Sequence, residues 1–360
     1  MSAKQSVSRE GLLQVINLVK PSLSNQSFIA SLTHICFSDG LATSYNDITS
    51  ISVRTSIDLE VCVPGELLSK ALNSLNAKEV SIDTSEEGII LSSGRSKLKL
   101  PVIPAADFPF AISEDKTDAL ISVSEDMLKG IEFCLISVGS DPHHPAHMGV
   151  TLEPGKKGGM LYSTDNQTLS RYRTSSKVTL PADTPIILPT FFCNQLITLS
   201  KAFPSEEVLL DVRSGCIIAK FGEQATLFTK MVVDLEPTDF QRIIDRYSID
   251  ERFTEKCIGI PDDFDSSFNR ALLVLSNETD KTTRVTIAND RMKLFSESQY
   301  GTSDDAMPFK AEDAEPFYID PSLVIRASQK CSKVAPLERV MVMSNEDETF
   351  THLISHCITK

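Results

Sequence analysis

The sequence lacks the features of a membrane protein, a secreted protein or a disulfide-rich scaffold. It has no tryptophan, and none of its apolar runs approaches the roughly 18 residues of a membrane-spanning helix. The N-terminus, MSAKQSVSRE, has no apolar stretch like that of a signal peptide. The eight cysteines occur singly and without a CxxC pair, which predicts buried free thiols and a reducing cytoplasmic location.

Motifs for nucleotide or covalent chemistry are also missing. The chain contains no Gly-x-x-x-x-Gly-Lys-Ser/Thr loop and no Gly-x-Ser-x-Gly elbow. The segment Asp141-Pro-His-His-Pro-Ala-His147 is the one cluster that suggests a metal. Its two prolines disfavour a helical HxxxH geometry, and no carboxylate motif nearby completes a catalytic zinc site. We therefore predict a protein that is not an enzyme and has no cofactor and no metal site.

Two other interpretations of this histidine segment stay open. It is either a plain surface loop or a loop that contacts DNA or a partner. A metal-dependent hydrolase built on His143, His144 and His147 is a more distant alternative.

Length and charge limit what the protein does. A chain of 360 residues has room for two or three domains, and 41% apolar with 23% charged residues excludes wholesale disorder. With 35 basic against 49 acidic residues, the formal net charge is −14. This balance argues against a protein that coats nucleic acid with a broad basic surface.

A divergent threefold repeat organises the chain. Amphipathic helices are predicted in two sets, and the members of the first set each follow a short strand. The first set covers 9–20, 125–138 and 262–276, and the second covers 64–78, 189–203 and 320–333. Alternating strands follow the second set at 79–83, 207–211 and 338–342. We predict three domains of one strand–helix–strands–helix–strands unit, at 1–117, 118–247 and 248–360.

The predicted fold class is α+β, with antiparallel sheets and two helices per domain on one face of them. The third copy departs from the pattern, because only TFTHLISHCITK follows its strand and acidic turn. We therefore expect either a lost strand or a rearranged final hairpin. The six helices carry a net charge of about +1 and the rest of the chain about −15, so the helical layer is the least acidic part.

Four segments, in this order, resemble the bacterial-type DNA sliding clamp, the beta subunit of the replicative polymerase. They are SGRSKLKLPVIPAADFPF (93–110), STDNQTLSRY (163–172), FTKMVVDLEPTDFQRII (228–244) and LLVLSNET (272–279). The resemblance implies a homodimeric ring in which two three-domain protomers place helices around double-stranded DNA and sheets outside. Such a ring tethers the replicative DNA polymerase without reading sequence, and a separate ATP-dependent clamp loader places it on DNA. The altered third copy suggests a divergent member, of bacterial or viral origin.

The resemblance and the helical charges together assign candidate site residues. The DNA-facing candidates are Lys20, Lys70, Lys129, Lys201, Arg270, Arg326 and Lys330. The candidates for a partner-peptide pocket are Thr164, Asn166, Gln167, Thr168, Leu169, Thr238, Arg242, Ile243 and Ile354. The dimer-interface candidates are Phe108, Phe110, Val274 and Leu275. Asn166, Gln167 and Thr168 differ from the family's residue types, so we expect a different partner peptide.

Three alternatives limit these assignments. Each basic residue is otherwise a solvated charge on a helix face, and Leu169, Ile243 and the four dimer-interface candidates are otherwise core residues. For the whole protein, the alternative function is a clamp-like scaffold that recruits partners through its pocket without stable loading on DNA.

Overall fold

The computed structural model describes residues 5–25, 28–85, 88–112, 116–155, 158–180, 184–231, 235 and 238–357. Within them the α-helices are α1 (Arg9–Val19), α2 (Gly65–Ser74), α3 (Glu125–Cys134), α4 (Thr190–Ala202), α5 (Phe240–Arg246), α6 (Ile249–Lys256), α7 (Phe264–Leu275) and α8 (Pro321–Ser328). All six predicted helices are present, and α5 and α6 are additional. No helix in these residues is long and apolar enough to cross a membrane.

Strands make up most of the remaining regular structure. The first predicted copy contains β1 (Gln5–Ser8), β2 (His34–Ser38), β3 (Leu41–Tyr45), β4 (Thr49–Arg54), β5 (Val61–Pro64), β6 (Glu79–Ser85), β7 (Gly88–Ser93), β8 (Ser96–Leu100) and β9 (Ile103–Pro104). The second contains β10 (Ala119–Ser122), β11 (Gly149–Glu153), β12 (Met160–Thr164), β13 (Thr168–Arg173), β14 (Ile186–Pro189), β15 (Val208–Arg213), β16 (Cys216–Phe221) and β17 (Ala225–Lys230). The third contains β18 (Ile258–Gly259), β19 (Thr283–Ala288), β20 (Arg291–Ser298), β21 (Gly301–Pro308), β22 (Ala314–Ile319), β23 (Lys333–Pro336), β24 (Val340–Ser344) and β25 (Phe350–Ser355).

The same strand order occurs three times. One set of four strands has the orders β5-β2-β3-β4, β14-β11-β12-β13 and β22-β19-β20-β21. A second set has the orders β1-β6-β7-β8, β10-β15-β16-β17 and β18-β23-β24-β25. The assigned strand pairs are antiparallel, for example β6 with β7 and β15 with β16. The predicted α+β class with antiparallel sheets is confirmed, and the boundaries near 117 and 247 stay a prediction.

Two of the sheets run from one predicted copy into the next. β4 pairs with β17, which joins strands of the first and second copies into a nine-stranded sheet. β13 pairs with β25, which joins strands of the second and third copies into an eight-stranded sheet. By compactness the chain therefore divides into two units, one of residues 1–123 with 194–233 and the other of 124–193 with 234–360.

The expectation that the third copy lost a strand or rearranged its last hairpin is wrong. β23 pairs with both β18 and β24, so the third copy has the same four strands as the others. The strand that the sequence pattern did not predict is β23. It begins where the second helix was expected to end, because α8 ends at Ser328 and not at residue 333. The amides of Lys330 and Cys331 donate to the carbonyls of Ala327 and Ser328, which tightens this last turn.

Capping residues start the helices where the sequence indicates. The hydroxyl of Ser8 accepts a hydrogen bond from the amide of Gly11, and Ser124 does the same for Met127, at 3.3 and 3.1 Å. The apolar sides of these helices are buried, with Ile16 of α1 and Ile131 of α3 fully covered. Helix starts were thus predictable from local capping chemistry.

Candidate functional site

Two predicted DNA-facing lysines of the second unit meet at one aromatic ring. The ammonium group of Lys129, on α3, lies 5.5 Å from the centroid of the Phe133 ring. That of Lys330, just after α8, lies 4.7 Å from the same centroid. Both distances permit a cation–π interaction. The ring of Phe133 also packs edge-on against Phe350, so it links the two lysines to the sheet below.

Other predicted DNA-facing residues differ in how far their charges are neutralised. Lys20 forms an ion pair with Glu66 at 2.9 Å, and Arg270 forms one with Asp305 at 2.5 Å. The remaining three, Lys70, Lys201 and Arg326, are exposed on their helices. A charge that already has a carboxylate partner attracts a phosphate less. The structure therefore favours the lysines near Phe133 and the three exposed residues over Lys20 and Arg270.

The predicted pocket begins at the turn between β12 and β13. One carboxylate oxygen of Asp165 accepts hydrogen bonds from the amides of Gln167 and Thr168, at 3.0 and 2.6 Å, and from the Thr168 hydroxyl at 2.9 Å. The hydroxyl of Thr164 donates to the carbonyl of Thr168 at 2.6 Å. Asn166 has a φ of 71°, a conformation that asparagine tolerates better than most residues. The turn thus buries both threonines and exposes Asn166 and Gln167.

The predicted apolar wall of the pocket is brought together in one cluster. Leu169 belongs to a core cluster with Phe240 and Ile244 of α5, and Ile243 packs against that cluster from its half-buried position. Leu169 is only 6% exposed, so it serves mainly as core. Arg242 is exposed at the start of α5, where the side chain of Asp239 caps its amide at 3.0 Å.

Ile354 does not belong to an accessible pocket. It is fully buried in the core cluster around Phe264 and Phe268, and it lies opposite Thr168 in the β13–β25 pair. A side chain buried within its own unit has no surface to offer a peptide. The assignment of Ile354 is therefore corrected to a core position.

The histidine segment borders the predicted pocket. His147 Nε2 lies 3.2 Å from the hydroxyl of Thr238, and the ring of His147 stacks on that of His144 with centroids 5.4 Å apart. Burial lowers the pKa of His147, and the neighbouring His144 lowers it further. A cavity of about 320 Å³ is shared by both rings, by the turn at Asp165 and by Arg326 of α8.

This cavity joins three features that the sequence treated separately: the histidine segment, the pocket turn and a predicted DNA-facing residue. Among the described residues there is no group of three His, Cys, Asp or Glu side chains placed to hold a metal ion. The hydrolase alternative therefore gains no support from the arrangement of the three histidines.

A buried polar network lies beneath this turn, and sequence reasoning missed it. His352 Nδ1 lies 2.9 Å from the hydroxyl of Ser170, which is 2.7 Å from that of Ser137. The hydroxyl oxygens of Thr168 and Ser137 lie 2.9 Å apart. Burial lowers the pKa of His352 to about 3, and the charge of Arg326 acts in the same direction. The network links β13 and β25 at the seam between the second and third copies.

The predicted interface residues are half-buried or buried. Phe110 lies between Tyr45 and Phe228, with ring centroids 4.8 and 5.2 Å away. Phe108 and Val274 are half-buried. Leu275 is buried on the inner side of α7, so burial within the protomer removes it from any interface. On the same helix Leu273 is 74% exposed, and it replaces Leu275 as the apolar candidate.

Comparisons with known proteins agree with this fold. A family model described as DNA polymerase III beta subunit, N-terminal domain, matches residues 3–113. The beta sliding clamp of Proteus mirabilis is 24% identical over 60% of this chain and 56% of that protein. The beta sliding clamp of Pseudomonas putida is 22% identical over 80% of this chain and 79% of its own length.

Solved structures match along the whole chain. The sliding clamp of Pseudomonas aeruginosa bound to griselimycin superposes with a TM-score of 0.85 at 17% identity and covers 99% of both chains. The DNA polymerase III beta subunit of Thermotoga maritima gives a TM-score of 0.84 at 15% identity, with all of both chains covered. These matches confirm the resemblance seen in the sequence, and the solved structures show that the chain has the fold of the bacterial beta sliding clamps.

Proposed function

We propose that the chain is the protomer of a DNA sliding clamp, a closed ring that encircles duplex DNA and tethers a replicative DNA polymerase. The names of its relatives and the fold support this function over the scaffold alternative. The clamp has no catalytic role in this proposal. We also propose that a separate ATP-dependent loader opens the ring.

The observation that carries the proposal is the repeated joint between the predicted copies. β4 pairs with β17, and β13 pairs with β25, so the same two strand positions join successive copies. Among the described strands, β21 and β8 occupy these positions in the third and first copies and lie at the ends of their sheets. If β21 of one protomer pairs with β8 of another in the same way, two protomers close on each other through two identical joints.

The charges of these two strands support this pairing. β8 carries Lys97 and Lys99 and follows Arg95, whereas β21 carries Asp304 and also Asp305, which is paired with Arg270 within the chain. Opposite charges on facing strands are favourable, and like charges are unfavourable. A basic end therefore prefers the acidic end of another copy over a second basic end, which favours head-to-tail closure. In this proposal the three domains at 1–117, 118–247 and 248–360 form six similar units in a dimer.

Basic residues of the helices are proposed to face the DNA. Lys129 and Lys330 lie beside Phe133 without an ion pair within the part of the chain that the structure describes. Few and loosely held phosphate contacts suit a ring that slides, since strong contacts would fix it in place. The acidic remainder of the chain repels DNA from its other surfaces.

The partner-peptide pocket is proposed at the exposed part of the Leu169 cluster. Ile243 packs against this cluster, and we propose that Arg242 and Thr238 border the pocket on the same side and Asn166 and Gln167 on the other. An apolar wall with a few polar anchors suits a short peptide segment of a polymerase or a loader.

We place the protein in the cytoplasm, which the eight free cysteines support.

A retention assay tests the topological function. The protein is loaded by its cognate loader onto a nicked circular plasmid, and half of the sample is then cut with a restriction enzyme. We expect the protein to stay on the circle and to leave the linear DNA. Equal retention on both forms would contradict encirclement. No retention on either form, together with intact peptide binding at the Ile243 pocket, would support the scaffold alternative.

A further inference from the structure

A groove of about 480 Å³ lies on the second unit beside the predicted peptide pocket, and none of the predicted pocket residues lines it. Arg246 of its wall also lines an adjacent cavity together with Arg242. The walls of the groove come from the junction of α5 and α6 and from the turn between β23 and β24. Three arginines line it: Arg246 and Arg252 from the first segment and Arg339 from the second. Glu338 is its one acidic residue. The groove is therefore locally basic on a chain whose net charge is −14.

The charges of these arginines are not neutralised by a carboxylate, as is also the case for Arg242 and Arg291 among the described residues. Arg171, Arg213 and Arg270 each hold a carboxylate at 2.7 Å or closer. Among the residues that the structure describes, neither the three groove arginines nor Glu338 takes part in an ion pair. In a chain with so many carboxylates, three neighbouring guanidinium groups without one leave an unfilled site for anions.

The floor of the groove is apolar. Leu337 and Ile249 are 4% and 1% exposed and belong to the core cluster around Phe240. Tyr247 and Val340 are half-buried and present part of their apolar surface to the groove. The guanidinium group of Arg246 lies 5.7 Å from the centroid of the Tyr247 ring, which places positive charge beside that surface.

We propose that this groove docks an acidic peptide segment of a partner protein, with carboxylates on the three arginines and one apolar side chain on the floor. Arginine presents two parallel donors to a carboxylate, so each contact combines charge with geometry. An apolar side chain against the half-buried Tyr247 and Val340 adds burial that a free anion lacks. The surface is independent of whether the protein encircles DNA.

A nucleic acid fits this groove less well. A strand of phosphates needs a basic track that continues along it. Here Glu338 lies within the groove, and the adjoining cavity beyond Arg252 adds the four acids Glu255, Glu312, Asp313 and Glu315 against the two lysines Lys256 and Lys310. The basic surface is therefore short and bounded by acids, which suits two or three carboxylates of a peptide.

Fluorescence anisotropy with the full chain tests the proposal. The probe is a fluorescein-labelled ten-residue peptide of Asp and Glu around one central Leu, and its control replaces the acids by Asn and Gln. A labelled single-stranded dT oligonucleotide is the third probe. The variant Arg246→Glu/Arg339→Glu reverses two groove charges, and Arg291→Glu/Lys293→Glu makes the same change in net charge on β20. Thermal unfolding verifies that both variants are folded.

We expect the acidic peptide to bind the native chain at least about tenfold more tightly than its amide control. The affinity for the acidic peptide should fall about tenfold or more in the groove variant and less than about threefold in the β20 variant. In the native chain this affinity should also fall with added salt, because exposed charges are screened. Equal binding of the two peptides, or equal loss in both variants, would overturn the proposal. Tighter binding of the oligonucleotide, lost in the groove variant, would overturn it in favour of nucleic acid.

Discussion

Arg171 on β13 and Asp250 on α6 form a two-point ion pair, with Nη1–Oδ2 and Nη2–Oδ1 distances of 3.0 and 2.5 Å. The guanidinium group also donates to the hydroxyl of Thr351 on β25 at 3.2 Å. The side chain of Arg171 is 8% exposed and that of Asp250 is 48% exposed. The buried Arg171 thus connects α6, which lines the arginine groove, to the paired strands β13 and β25.

Replacing Asp250 by Asn should lower the free energy of unfolding by about 1–3 kcal/mol, because it leaves the buried charge of Arg171 without its counter-charge. Half exposure of Asp250 keeps the loss below that of a fully buried pair. Urea unfolding measures the loss, and Asp262→Asn, at an exposed position with no ion pair among the described residues, is the control. Equal stability of the two variants would contradict the role of the pair.

The pH dependence of the same pair has a definite sign. The hydrogen bonds from Arg171 hold the pKa of Asp250 below its ordinary value. A lowered pKa in the folded state means that the stabilisation is complete above the unfolded pKa of about 3.9 and is lost as the pH falls below it. The difference in the free energy of unfolding between Asp250→Asn and the native protein should therefore be largest at neutral pH and smallest in strong acid.

Protonation of His352 should destabilise the protein in mild acid. Burial lowers its pKa to about 3, so the folded protein keeps the ring neutral while the unfolded chain takes up a proton below about pH 6.5. Its contribution is complete above pH 6.5 and is lost between about 6.5 and 3, at up to about 1.4 kcal/mol per pH unit. Urea unfolding at several pH values gives the slope of the unfolding free energy against pH. In His352→Gln this slope should be smaller than in the native protein, by the equivalent of about one proton. His143→Gln, at an exposed position, should keep the native slope; equal slopes in all three would contradict the prediction.

The fold was predictable wherever local chemistry decides the structure. Ser8 and Ser124 cap their helices through their own hydroxyls, so the residue type itself indicates the helix start. The end of α8 was not predictable in this way, because it depends on tight turns at Lys330 and Cys331 that allow β23 to pair with two strands. β23 is short and ends in Pro336, so it lacks the alternation that marks longer strands.

The candidate site was predictable only as far as the resemblance carries residues across. The resemblance assigns Leu169 and Ile243 to one site, and the structure has both in one cluster. The resemblance does not indicate that Ile354 is buried, because the inward or outward direction of a strand residue depends on which sheet face is covered. The His352 network is equally invisible in the sequence, since its serines and histidine come from segments far apart in the chain.

Charge reversal at the ends of the sheets should break and then restore the proposed dimer. Lys97→Glu makes the basic end less basic, and Asp304→Lys makes the acidic end less acidic, so each variant alone faces like charges at both joints. We expect each to dimerise at least about tenfold more weakly than the native chain. An equimolar mixture should recover dimers, because one joint then pairs the two reversed charges with each other and the other joint keeps the native charges. Analytical ultracentrifugation measures all three samples.

The matched control for Lys97→Glu is Lys281→Glu, which makes the same change in net charge outside both strands. Its dimer should resemble that of the native chain. A mixture that stays monomeric would contradict the head-to-tail pairing of β8 with β21. A monomeric native chain at micromolar concentration would count against the closed ring itself.

The two lysines beside Phe133 should contribute more to DNA contact than the ion-paired Arg270. Lys129→Gln/Lys330→Gln removes two charges that lie on one ring, whereas Arg270→Gln removes a charge already held by Asp305 at 2.5 Å. Binding to a short duplex, measured by anisotropy across a salt series, should weaken in the lysine variant. The slope of log K against log salt should fall by about 0.9 for each lost phosphate contact. Arg270→Gln should keep a slope close to that of the native protein, and the reverse order of effects would place the DNA against α7 instead of α3.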